Sequence, residues 1–77
     1  MIDFLKISKD NDMIVSITPF DNDYVVTLEK NGYSSSLMFS YSDTTSIVEH
    51  VIYDAIHEIN KEIQTKGEEY WRLNLKD

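Results

Sequence analysis

The chain has no cysteine, one proline, two glycines and half as many basic residues as acidic ones, seven against fourteen. Without cysteine, neither a disulfide nor a thiolate zinc site can reinforce the core, a condition that suits a reducing cytoplasm. With only Gly32 and Gly67 available, no phosphate-cradling glycine loop, dinucleotide fingerprint or G-x-S-x-G nucleophile turn can be assembled. No apolar run approaches the ~18 residues that span a bilayer. MIDFLKISKD lacks the basic start and apolar centre of a signal peptide, so a soluble, unprocessed chain is expected. A formal charge of −7 repels polyanions, which disfavours direct nucleic-acid or anionic-membrane binding and favours a basic partner.

What is present is enough to fold. Hydrophobic residues make up 42%, with nine aromatics among them, which argues against a disordered acidic segment. The 77 residues are read as one domain over residues 1–77. A chain of this size buries only about 60% of its unfolded surface. With so thin a core, a binding surface is expected in preference to a deep catalytic pocket, and no enzyme activity or cofactor is expected.

Asn31-Gly32 is the dipeptide that best tolerates the positive φ angles of a two-residue hairpin turn. Such a turn pairs Lys30 with Tyr33, Leu28 with Ser35, Val26 with Leu37 and Tyr24 with Phe39. One face then carries Tyr24, Val26, Leu28, Leu37 and Phe39. The other carries Val25, Thr27, Glu29, Ser34, Ser36, Met38 and Ser40. A one-residue slip would mix the two sets. Strands are therefore expected over about 24–30 and 33–40. A first strand is expected over about 13–18, followed by turn chemistry in Pro19-Phe20-Asp21-Asn22-Asp23.

Val48, Val51, Ile52, Ala55, Ile56, Ile59 and Ile63 recur at three and four, the period of a helix with one buried stripe. Ser46-Ile47-Val48-Glu49 fits a capping box, with Asp43 or Ser42 as other caps, and Gly67 suits a helix end. A helix over about 46–66 would cover the apolar face of the hairpin. Ile2 to Ile7 fits a strand or one helical turn, and 69–75 fits a last strand or a short helix. The expected fold is α+β, an antiparallel three- to four-stranded β-meander packed on one face by a long α-helix in the C-terminal half.

On the helical wheel His50, Asp54 and His57, spaced four and three apart, share an exposed face where two imidazoles and a carboxylate form a weak candidate metal site. Asp54, Glu58 and Glu62 follow at i, i+4, i+8 along one edge of the apolar stripe. Like charges at this spacing cost a few tenths of a kcal/mol per pair, roughly the size of a favourable pair with its sign reversed. Residues 43 to 69 hold seven acids and two lysines, so the charge is segregated. This suits solubility alone, or a surface that competes for a partner's nucleic-acid site. The Ser/Thr face of the sheet could instead serve a homodimer, and Tyr70 and Trp71 are candidate partner anchors.

The hairpin turn Asn31-Gly32, the connection Ser40 to Asp43, and Ser46-Ile47-Val48-Glu49 with Ile52 and Ala55 downstream together resemble the small acidic Cas9 inhibitors encoded by phages and prophages. The resemblance covers about residues 24–59. It implies a three-stranded sheet with helices and acidic side chains that replace phosphates in the nuclease's site for the DNA motif beside the target. Those inhibitors carry denser acids around this helix than the Ser42, Thr44, Thr45 and Glu68-Glu69 found here. The resulting expectation is a non-enzymatic anti-CRISPR-like inhibitor in a bacterial cytoplasm, contacting a basic nucleic-acid-handling protein through Asp43, Glu49, Asp54, Glu58 and Glu62. The alternative is a self-associating structural or assembly module.

Overall fold

In a computed structural model, described over residues 2–75 in its backbone and 2–66 in its side chains, the chain forms α1 (Phe4–Asn11), β1 (Ile14–Phe20), β2 (Asp23–Lys30), β3 (Tyr33–Ser40) and α2 (Thr45–Leu75). The strands form one antiparallel sheet in the order β1-β2-β3, and α2 packs on one face of it. The α+β expectation holds. The hairpin register is the one that the turn specifies: Lys30 faces Tyr33, Leu28 faces Ser35, Val26 faces Leu37 and Tyr24 faces Phe39. Asn31 and Gly32 take φ values of 53° and 83°. A β-carbon at Gly32 would meet nothing within 4 Å, so Gly32→Ala adds backbone strain without a clash. We expect that variant to lose about 1 kcal/mol in urea denaturation.

The first strand runs further than its sequence suggests. Pro19 and Phe20 belong to β1, and the turn is only Asp21-Asn22, with Asp21 at a φ of 54°. Proline is tolerated because β1 lies at a sheet edge.

The segment that fitted a strand or a single turn is a two-turn helix. Asp3 caps α1 by accepting from the Lys6 N–H at 3.0 Å, and Asp12 closes it in the left-handed region at a φ of 51°. The Asp12 and Met13 N–H groups both donate to the Ser8 carbonyl, and the Ser8 hydroxyl donates to the Met13 carbonyl. These bonds satisfy the Ser8 carbonyl at the helix end and turn the chain into β1. They bring Ile7 and Met13 into the core.

The expected cap of the long helix is displaced. The Thr44 hydroxyl accepts from the Ile47 N–H at 3.3 Å, so α2 starts at Thr45 and Ser46 lies inside it. The preceding turn sets this position: the Asp43 carboxylate accepts from the Ser40 N–H at 2.9 Å and the Asp43 N–H donates to the Ser40 carbonyl at 3.0 Å. Thr44→Ala should therefore cost about 1 kcal/mol of stability, whereas Ser46→Ala should be near neutral in the same thermal-melt series. At the other end the helix continues past Gly67 to Leu75, so no strand forms over 69–75. The side chains of Tyr70 and Trp71 lie outside the described residues.

The core consists of Ile7, Met13, Val26, Leu28, Phe39, Val48, Ile52, Ile56 and Ile59, with no buried polar side chain among the described residues. A 31-residue helix is about 46 Å long, against about 27 Å for an eight-residue strand. Among the residues whose side chains are described, the last buried position of α2 is Ile59, with Ile63 half-buried, and a helix of this length makes the molecule elongated, with an extent of 54 Å. Among the described residues no helix is long and apolar enough to cross a membrane.

Candidate functional site

Burying Val48, Ile52, Ile56 and Ile59 fixes the rotation of α2 and turns its remaining positions outward. Glu49, Asp54, Glu58 and Glu62 are all exposed, over about 20 Å of helix axis. Asp43, also exposed, stands just before the helix in the turn that it holds closed. Asp54, Glu58 and Glu62 follow one another as a ridge, whereas Glu49 lies roughly half a turn round the helix from them and Asp43 also has a structural role.

The ridge is not uniform. Asp54 Oδ2 lies 3.4 Å from His50 Nε2, with both side chains more than 70% exposed, so solvent screening leaves the pair little stabilising value. His57 does not join them. Among the described residues no group of three or more metal-ligating side chains comes together, so the helix spacing of His50, Asp54 and His57 does not produce a ligand cluster. Towards the C-terminal side, Glu58 and Glu62 share an open depression with Tyr33, Lys61 and Lys66, and these lysines dilute the negative surface.

The opposite end of the sheet has a different character. Because Asp23 pairs with Ser40, the Asp21-Asn22 turn and the Ser40–Asp43 turn lie side by side where α2 begins. Helix α2 covers β2 and β3, while α1 covers part of β1, leaving the inner face of β1 partly bare: Ile17 is 49% exposed although it points to the helix side. An open groove of about 310 Å³ results. Its walls are Ile2 and Phe4 before and within α1, Ile17 and Pro19 of β1, Val48 of α2, and Tyr24, Tyr41 and Asp43 at the turn end. The Tyr24 ring packs against Tyr41, with centroids 5.1 Å apart, and against Phe39, at 5.7 Å.

Burial raises the pKa of the Tyr24 phenol, and the nearby Asp43 carboxylate and Tyr41 raise it further. The protonated phenol is therefore favoured in the folded protein. Its contribution to stability is complete below the unfolded pKa near 10 and is lost as pH rises through the folded value. In an ultraviolet titration of phenolate absorbance, Tyr24 should ionise above the ordinary value of 10.0. Asp43→Asn should move it back towards 10, because the carboxylate's repulsion of the phenolate is gone.

Nothing in the sequence assembles this groove. It depends on the position of α1 and on the extension of β1 through Pro19, two features that local patterns leave open. The remaining surface of note is the uncovered sheet face, where the Thr27 and Ser36 hydroxyls lie 3.2 Å apart across β2 and β3 and where Ile14, Phe20 and Met38 are exposed. No protein-family model, curated protein or solved structure matches the chain.

Proposed function

We propose that the protein is a non-enzymatic, acidic interaction protein that blocks a basic nucleic-acid-binding surface of a partner, in the manner of the phage Cas9 inhibitors that its sequence resembles. The observation that carries this reading is the exposure of Glu49, Asp54, Glu58 and Glu62 along α2, continued by Asp43. Carboxylates about 6 Å apart on a helix reproduce phosphate charge locally, though far more sparsely than a duplex with one charge per about 1.7 Å. Such a surface competes for lysines and arginines that would otherwise neutralise phosphates. Its affinity falls as salt rises, because exposed charges more than about 10 Å apart are screened at 0.1 M ionic strength.

The test uses a guide-loaded Cas9-type nuclease and, in parallel, affinity capture from a bacterial lysate. Cleavage should be inhibited when the protein is added before target DNA and much less when it is added afterwards. Capture of a basic nucleic-acid-binding protein should disappear at about 0.5 M salt. Absence of both effects at low salt would eliminate the reading.

A second reading is supported by the exposed Ile14, Phe20 and Met38 on the uncovered sheet face: self-association of this chain as an assembly module. Sedimentation equilibrium separates the two. A tight dimer at micromolar concentration that Met38→Glu dissociates would favour the module over the inhibitor.

A further inference from the structure

The groove at the start of α2 combines three properties. Ile17, Pro19 and Val48 offer an apolar wall, the paired rings of Tyr24 and Tyr41 offer aromatic surface, and Asp43 supplies a fixed carboxylate. That carboxylate is held in place, because one oxygen, Oδ2, accepts the Ser40 N–H and leaves Oδ1 for a second donor. At about 310 Å³ the groove lies at the lower limit of ligand pockets, a size suited to one long side chain.

The charges of the fold are arranged along its length in the same sense. Asp21, Asp23 and Asp43 gather at the two adjacent turns of this end, with Asp3 beside the groove's Ile2 and Phe4. At the opposite end of the sheet Lys9 and Lys30 share a depression with Asp12 and Glu29, and Lys61 and Lys66 share one with Glu58 and Glu62, so the acids there have bases beside them. The groove therefore opens beside the acids Asp3, Asp21, Asp23 and Asp43, with Lys6 the one base in the first turn of α1. An anion is repelled there, and a purely apolar side chain would strip water from Asp43 without replacing its hydrogen bonds.

We propose that this groove receives an arginine side chain of the basic partner, with its methylene stem on Ile17 and Pro19 and its guanidinium between the tyrosine rings and Asp43. The proposal rests on the inhibitory reading above and names the anchor of that contact. Arginine fits better than lysine on chemical grounds. Its planar guanidinium stacks on aromatic rings and presents paired N–H donors to a carboxylate, whereas an ammonium is a strongly hydrated point charge. Within the interface the groove would supply a packed anchor, while the α2 ridge supplies longer-range attraction.

The experiment follows the methyl and aromatic NMR signals of the whole protein during titration with the blocked tripeptide acetyl-Gly-Arg-Gly-amide. The signals of Ile17, Val48 and Tyr41 should move together and saturate in the millimolar range. Asp43→Asn keeps an oxygen for the Ser40 N–H, and Tyr41→Ala removes an exposed ring, so both variants should fold. Each should weaken the peptide by about threefold to tenfold.

Equal binding of the lysine, citrulline or norleucine peptide would overturn the arginine assignment, as would shifts confined to α2 or no shifts at all. Asp54→Lys, Glu58→Lys and Glu62→Lys together should change peptide affinity by no more than about twofold at 0.15 M salt, given the short screening length. Failure of the groove is thus distinguishable from failure of the inhibitory reading: the first loses the peptide and keeps nuclease inhibition, and the second does the reverse.

Discussion

Ile52→Ala will lower the stability of the domain by about 2–5 kcal/mol. Ile52 is fully buried, in one cluster with Val26, Leu28 and Phe39 of the sheet and Val48, Ile56 and Ile59 of its own helix. Truncating a buried isoleucine costs about 2–5 kcal/mol, combining lost transfer energy with the cavity left behind. A 77-residue domain has roughly 4–12 kcal/mol in total, and small single cores lie at the low end. One methyl-rich side chain is therefore worth a large share of the whole. Urea denaturation followed by circular dichroism should show a large fall in midpoint with an unchanged slope. Ile47→Ala, at a position that is 54% exposed, should stay within about 0.5 kcal/mol of the parent. An Ile52→Ala variant as stable as that control would contradict the packing of α2 on the sheet.

The features legible in the sequence are those encoded within a few residues of one another. Asn31-Gly32 fixes a turn, the turn fixes a register, and the register places Tyr24, Val26, Leu28, Leu37 and Phe39 on one face, where Val26, Leu28 and Phe39 are indeed buried. The α2 stripe is equally local, since Val48, Ile52, Ile56 and Ile59 satisfy helical spacing on their own.

The features that escaped are settled by competition between neighbouring signals. Ser46 and Glu49 fit a cap, but the Ser40–Asp43 turn closes first and gives that role to Thr44. Pro19 reads as a breaker, yet an edge strand has no need of its missing N–H. Segment 2–7 is too short to show a period. Asp3 as cap, Phe4 and Ile7 at helical spacing and Asp12 as a left-handed stop together form its signal, and its burial is settled by β1. The acids of α2 were visible as a ridge. The groove, built from α1, β1, a turn and α2, was not, because its α1, β1 and α2 walls are far apart in sequence.

Replacing Asp54, Glu58 and Glu62 together by lysine should abolish inhibition of a basic partner, with an affinity loss of at least about 100-fold. The change moves the formal charge from −7 to −1, and it also places three cations against a basic surface. Even about 1 kcal/mol per position, below the coupling measured for close interfacial charge pairs, gives about 3 kcal/mol in total, and each 1.4 kcal/mol is tenfold. The fold should survive. All three side chains are exposed, lysine is a good helix former, and the i,i+4 repulsion of the acids is exchanged for a similar repulsion among lysines. Far-UV circular dichroism and the melting temperature should therefore change little.

The neutral counterpart, glutamine at the same three positions, separates the causes. It removes attraction without adding repulsion and should give an intermediate loss that vanishes at high salt. If the lysine variant inhibits as well as the parent, the ridge contacts only water and the function must lie elsewhere. If both variants weaken inhibition and their difference shrinks as salt rises, α2 acts through charge, and the aromatic groove at its start is the part of the contact that salt should leave behind.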